Sequence, residues 1–267
     1  EMAAASQARA ALVTRDFTSG DLDRPVFPMR FSGFDLIAEI KNRSPAEGQL
    51  ATPAGDRRSR ASLYVEGGAA AISVLTEPER FAGALSHLDE VAESVSASET
   101  PVMRKDFLVD PVQILEAKAA GASGVLLIAA ILGDDVLKNM LDCAFDHDLF
   151  VLLESFDELD MERSAHILRQ GRYREQAAMQ KFLVGVNTRN LRTLAVDPLR
   201  LGKFGPLLPQ DVSCVAESGQ RTAADAMAVA KLGYDIALVG TALMRAANPA
   251  MLIGDMLAAG RSQCLSS

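Results

Sequence analysis

Five charged residues and one amide fall where apolar runs of the chain give out. Glu39 and Lys41 close FDLIAEIK, Lys105 closes TPVMRK, Glu154 closes FVLLE, Asn187 closes KFLVGVN and Glu217 closes VSCVAE. A lysine among carboxylates in a partly dry pocket can serve as a general acid or as a Schiff-base nucleophile. A glutamate in the same setting can have a raised pKa and act as a base. The bland alternative is a salt-bridge cluster that plugs one end of the fold, because charges withdrawn from water must pair with each other or with a ligand. Five charges with Asn187 and Arg189 exceed what a plug needs.

A second signal comes from two small-residue turns, Glu217-Ser218-Gly219 and Gly240-Thr241. Glycine lets a backbone approach a phosphate, and N–H groups at turns and helix starts can grip its oxygens. No G-x-x-x-x-G-K-[ST] and no strand-linked G-x-G-x-x-G occurs, which argues against a nucleotide or dinucleotide. Phe81, Phe107 and Leu126 follow or lie in strand segments and offer an apolar wall; aromatic faces can clamp a planar ring, though ordinary packing explains each one equally well. His87, His147 and His166 fall in helical or helix-flanking segments, which argues against a Ser–His–Asp hydrolase and a histidine metal centre.

Such residues need a scaffold that brings strand ends together. Strand segments begin near residues 34, 69, 100, 124, 150, 181, 212 and 236, at intervals that fit a strand, a helix and two loops. The strands are apolar throughout, as strands covered on both faces should be. Eight regular units favour a closed α/β architecture, a (β/α)8 TIM barrel, over an open sheet. In that fold the C-terminal strand ends share one rim, where the active site lies, and the turns after strands seven and eight frequently bind phosphate. Residues 1–33 are polar, partly helical in pattern and broken by Gly20, Pro25 and Pro28. They are expected to form an N-terminal helical extension over the mouth or the bottom of the barrel, with residues 34–267 as a single barrel domain. The charged stretch GRYREQAAMQK (171–181) reads as a surface insertion on the bottom face, or more sharply as a partner contact.

Bulk properties narrow the partners. The 267 residues are 49% hydrophobic, enough for one core, and carry a net charge of −8 with no basic stripe for nucleic acid. The longest apolar run, Val125–Leu132, is far too short for a membrane span. Cys143, Cys214 and Cys264 are odd in number and widely spaced, which predicts neither a disulfide framework nor a zinc site and fits a reducing, cytoplasmic setting. The expected partner is a small phosphorylated substrate, and the expected assembly a monomer or a weak homodimer.

Seven segments in order, IAEIKNRSP (37–45), ISVLTEPERF (72–81), VMRKDFLVDPVQI (102–114), VLLIAAIL (125–132), VGVNTRNL (184–191), VAESG (215–219) and LVGTALM (238–244), together resemble the indole-3-glycerol-phosphate synthase family of tryptophan biosynthesis. The resemblance spans about residues 34–245. It implies closure of an indole ring from 1-(2-carboxyphenylamino)-1-deoxyribulose 5-phosphate with loss of carbon dioxide and water, and no cofactor. By the same resemblance Lys105 is the general acid at the ribulose C2 oxygen and Glu154 transfers a proton in the dehydration. Glu39, Asn187 and Glu217 orient the substrate and stabilise cationic intermediates. Lys41, Ser44 and Arg189 join the substrate-binding set, with Lys41 and Arg189 facing a carboxylate or a phosphate. Ser218, Gly219, Gly240 and Thr241 make the phosphate cradle, and Phe81, Phe107 and Leu126 the anthranilate pocket. The chain departs from the family at Ala46-Glu47, where Ser-Lys is frequent, at Asn190, where the family has aspartate, and in having no tryptophan. Other readings are a divergent paralogue on a related phosphosugar, a Schiff-base aldolase or isomerase with Lys105 as nucleophile, and a non-catalytic ligand-binding scaffold. The last fits poorly with Lys105, Glu154 and Asn187 together, since affinity alone needs no proton donor.

Overall fold

A computed structural model describes residues 2–45, 48–50, 56–189, 197 and 199–264. The departures at Ala46, Glu47 and Asn190 lie outside the described residues. Eight parallel strands close into a barrel in sequential order: β1 (Asp35–Ile40), β2 (Ala71–Leu75), β3 (Val102–Lys105), β4 (Gly124–Ile128), β5 (Phe150–Ser155), β6 (Phe182–Asn187), β7 (Ser213–Glu217) and β8 (Ile236–Val239), with β8 pairing back onto β1. Each begins within two residues of its expected position. The helices are α1 (Met2–Ala11), α2 (Asp56–Glu66), α3 (Pro78–Phe81), α4 (Leu85–Val95), α5 (Pro111–Ala119), α6 (Asp134–Asp146), α7 (Glu158–Leu168), α8 (Gly171–Ala178), α9 (Arg200–Phe204), α10 (Ala223–Lys231), α11 (Thr241–Arg245) and α12 (Pro249–Cys264). Local chemistry starts several of them. Asp110 and Gln113 form a capping box before α5 with Pro111 behind the cap, and Thr222 with Asp225 does the same for α10.

Side chains alternate across each strand, so a barrel has two apolar surfaces. Leu36, Ala38, Val102, Val125, Leu127, Val151, Leu153, Val184 and Ala216 face outward into the large core beneath the helices. Ile37, Met103, Leu126, Phe150, Leu152, Leu183, Val215, Ile236 and Leu238 form a second core inside the barrel. The inward parity continues one step further to Glu39, Lys105, Glu154 and Glu217, and through Gly185 to Asn187.

Residues 2–33 serve both ends of the barrel. α1 sits at the mouth, where Met2 lines the central cavity and Arg9 pairs with Asp106 just beyond β3. The chain then descends. Lys118 donates to the Arg24 carbonyl, the Phe27 N–H donates to Ser123 Oγ at 3.0 Å just before β4, and Met29 enters the inner core.

The stretch 171–181 lies mostly at the surface, as expected, but is also anchored in the core. It folds as α8 and turns through Gln180 into β6, with Tyr173 and Ala177 buried. The Tyr173 ring lies 6.2 Å from Phe145 and 6.3 Å from Phe182, so this charged helix sends an aromatic anchor into the outer core. Alternation of charge hid a core residue.

Candidate active site

At the upper rim the inward residues of odd strands converge. Lys105 Nζ, at the end of β3, lies 3.1 Å from Glu217 Oε2 on β7 and 3.4 Å from Glu154 Oε2 on β5. Glu39, on β1, lies 2.6 Å from Lys41 Nζ. Glu39, Glu154 and Glu217 are buried, and Asn187 is paired in register with Glu217. Lys105 therefore bridges two carboxylates across the barrel, and Lys41 holds the third.

The field of this cluster differs from group to group. Burial works against the Lys105 ammonium, yet the charges of Glu217, Glu154 and Glu39 outweigh it and hold its pKa well above the usual lysine range. Burial likewise opposes ionisation of Glu39, but Lys41, Lys105 and Arg189 hold its carboxyl below the ordinary value. Glu217 goes the other way: burial first, then the negative charge of Glu154, push it well above the ordinary carboxylate range in spite of Lys105. Glu217 Oε1 is buried with no hydrogen-bond partner, so one face of this carboxylate remains to be satisfied.

Glycines make room for the charges. A Cβ on Gly185 of β6 would stand 2.2 Å from Glu217 Oε1, and one on Gly240 would stand 2.2 Å from Glu39 Oε1 and 2.9 Å from Lys41 Nζ. Only a residue without a side chain lets these carboxylates lie across the neighbouring strand. The turn after β7 is unusual in that Ser218 takes a left-handed conformation at φ 66°, followed by Gly219 at φ 101°. Its carbonyl is tied down by Thr188 Oγ1 at 2.9 Å and Gln220 Nε2 at 3.0 Å.

The apolar wall is built from different parts. Glu77 caps α3 by accepting from the N–H groups of Glu79, Arg80 and Phe81, which fixes Phe81 at the edge of the mouth. The loop after β1 is tied to the same place, since Arg43 Nε donates to the Arg80 carbonyl at 2.8 Å and Asn42 Nδ2 to the Ala82 carbonyl at 2.9 Å. Phe107 follows Lys105 by two residues and Leu126 faces inward from β4.

All of these surround one cavity of about 650 Å3. Its lining includes every candidate singled out in the sequence: Glu39, Lys41, Ser44, Phe81, Lys105, Phe107, Leu126, Glu154, Asn187, Arg189, Glu217, Ser218, Gly219, Gly240 and Thr241. It also includes residues that sequence reasoning missed, among them Met2, Arg80, Asp106, Ile128, Arg221, Leu238 and Arg245. Ile128 and Leu238 share the inward parity that the strands already displayed. Arg245, at the end of α11, could have been suspected from its distance of one helical turn beyond Thr241. Among the described residues no helix is long and apolar enough to cross a membrane.

Residues 27–256 match the family model described as indole-3-glycerol phosphate synthase. Proteins of that name from Parafrankia and Nocardioides are each 44% identical over 232 residues, covering 87% and 86% of this chain and 81% and 83% of theirs. The protein of that name from Mycolicibacterium smegmatis is 41% identical over 87% of this chain and 79% of its own. Among solved structures, 3-hexulose-6-phosphate synthase from Salmonella typhimurium superposes with a TM-score of 0.62 at 16% identity, over 86% of this chain and 99% of its own. Orotidine 5'-phosphate decarboxylase from Pyrococcus horikoshii gives 0.56 at 16% identity, over 85% and 99%. These two likenesses concern the barrel fold alone. With a family model over most of its length and relatives above 40% identity, the chain belongs to the indole-3-glycerol phosphate synthase family.

Proposed function

We propose that this chain converts 1-(2-carboxyphenylamino)-1-deoxyribulose 5-phosphate to indole-3-glycerol phosphate on the rim described above, with Lys105 as the general acid. The observation that carries the assignment is the position of Lys105 Nζ between Glu154 and Glu217, on the floor of a cavity with a phosphate-type turn on one side and an apolar wall on the other. The carboxylate-bearing carbon of the aromatic ring attacks C2 of the ribulose, a carbon–carbon bond forms as the C2 carbonyl π bond breaks, and the C2 oxygen takes the Lys105 proton. An ammonium held above its usual range is a poor donor to water but an adequate one to a nascent alkoxide. The same field makes the neutral amine scarce, which speaks against a Schiff-base role.

Bond formation leaves a cationic iminium in the ring. Glu39 and Glu154 supply negative charge in a low-dielectric pocket, where such stabilisation is strongest. The iminium is itself the electron sink for loss of carbon dioxide, and Glu154 handles the proton transfer of the final dehydration. Ser218, Gly219, Gly240 and Thr241 hold the phosphate. Lys41 assists at that end, since it lies against Gly240. Arg189 faces the ring carboxylate, and Phe81, Phe107 and Leu126 clasp the ring. Residues 34–267 act as one catalytic barrel domain, with helix α1 of the extension 1–33 at its mouth. The assembly is a monomer or a weak homodimer, and the free cysteines Cys143 and Cys214 fit a cytoplasmic setting. Fluorescence of the indole product is the test: wild type turns over, and Lys105→Ala loses at least about 10²-fold in kcat. Near-normal turnover in the variant would remove Lys105 from the role of acid.

A further inference from the structure

The residue after the proposed acid is held by an element far away in the chain. Asp106 has a fully buried side chain and accepts from Arg9 Nη1 at 2.8 Å, Arg9 Nη2 at 2.7 Å, Thr76 Oγ1 at 2.8 Å and the Phe107 N–H at 2.8 Å. Arg104 Nη2 approaches the same carboxylate at 3.4 Å. Arg9 lies on α1, 97 residues earlier. The same helix touches this region a second time, because Ser6 Oγ accepts from Gln113 Nε2 at 2.9 Å and Gln113 Oε1 accepts the Val109 N–H at 2.8 Å.

Asp106 thus ties α1 and the end of β2 to the point where the chain leaves β3, between Lys105 and Phe107, both of which face the cavity. Within this turn the Lys105 carbonyl accepts the Thr76 N–H at 3.0 Å, while the carboxylate of Asp106 orients the next peptide. A bidentate guanidinium–carboxylate pair fixes direction as well as distance. Arg9 supplies the only such pair to Asp106 among the described residues, and it is 28% exposed, so its removal would let water reach a carboxylate that is otherwise sealed.

We infer that Arg9 is a positioning residue which, through Asp106, sets the turn carrying Lys105 and Phe107, so that docking of α1 over the mouth is coupled to placement of the acid. The inference rests on the proposed reaction for its kinetic consequence and on geometry alone for its structural one. A lysine at position 9 can form one of the two bonds but not both. A misplacement of about 1 Å at a reacting group can cost on the order of 10²-fold.

The test uses the full chain with Arg9→Lys and Arg9→Ala, reading kcat and KM by indole fluorescence and amide exchange at Phe107. In Arg9→Ala kcat should fall about 10- to 100-fold, more than KM rises, and added guanidinium ion should restore part of it. Arg9→Lys should fall between the two, and the Phe107 amide should exchange faster in both variants. Unchanged kcat with only a lower melting temperature would reduce Arg9 to a staple for α1 and overturn the inference. So would unchanged exchange at Phe107. If wild type itself forms no indole product, the proposed reaction fails, and the exchange of Phe107 still decides whether Arg9 positions the turn.

Discussion

The barrel interior holds two adjoining layers with the same side-chain parity and opposite chemistry. Ile37 precedes Glu39 by two residues, Met103 precedes Lys105, Leu152 precedes Glu154 and Val215 precedes Glu217. Each pair points into the barrel from one strand. The lower members are fully buried among one another, and burying such a side chain contributes about 1.5–3 kcal/mol. The upper members are charged and nearly as dry, and desolvating an ion costs several kcal/mol unless its partners compensate. One layer therefore stabilises the fold, while the other is held in an environment it would not choose in isolation. Stability and reactivity are separated by about one strand repeat, and substitutions on either side should part them.

The largest separation is expected at Leu152. It is fully buried in the lower layer, so Leu152→Ala should destabilise by about 2–5 kcal/mol in denaturant unfolding while kcat of the folded fraction stays within a few-fold. A collapse of kcat in step with stability would show that the layers are one mechanical unit. Next comes Gly185, which belongs to both layers. A methyl there would meet Glu217 Oε1 at 2.2 Å from above and Leu152 Cδ1 at 3.0 Å from below. The carboxylate is the longer lever and must move, so Gly185→Ala should lower kcat by about 10- to 100-fold with a smaller loss of melting temperature. Full activity would mean that Glu217 can do its work from another position.

Glu217 tests the upper layer by itself, and the sign is opposite. Burial and the charge of Glu154 raise its pKa above the ordinary 4.5, so the folded state binds this proton more tightly than the unfolded chain. Its contribution to stability is complete below the unfolded value and is lost as pH rises through the raised folded one. Glu217→Gln keeps the shape and cannot ionise. Its melting temperature should match wild type in acid and exceed it increasingly toward alkaline pH, by a few degrees, while indole production falls. A margin that shrinks with rising pH would show that the pairing with Lys105 outweighs burial at this position.

Much of this division could be read from the chain. Continuous apolar strands at regular intervals specify a closed parallel barrel, and a charged residue at the end of each odd strand marks the rim. The parity of Ile37 with Glu39 or Leu152 with Glu154 is visible as a spacing of two. What escaped notice depends on contacts between distant segments. Nothing local links Arg9 to Asp106, and an arginine on a polar helix reads as solvated. Gly185 lies inside VGVNTRNL, and its role is defined by a carboxylate on the adjacent strand. Arg80 lies within a quoted motif, yet its nearness to the cavity follows from the Glu77 cap that shapes α3.

Tyr173 supplies the finest test, since it belongs to neither inner layer. Its ring is buried between Phe145 and Phe182, while its hydroxyl donates to Asp142 Oδ1 at 3.0 Å among the charged groups Arg172 and Asp146. The ring and the hydroxyl therefore make separable contributions. Removing the whole ring should cost several kcal/mol, whereas Tyr173→Phe removes one hydrogen bond to a charged acceptor and leaves the aromatic packing in place. The expected loss is about 1 kcal/mol, or roughly 2–4 °C in melting temperature for a chain of this length, with kcat and KM unchanged. The site lies on the outer core at the end of the barrel where α8 leads into β6, away from Lys105. An effect on turnover from Tyr173→Phe would mean that the outer core transmits strain to the rim. It would also weaken the division between the two inner layers, because a change at the periphery would then reach the acid without passing through either one.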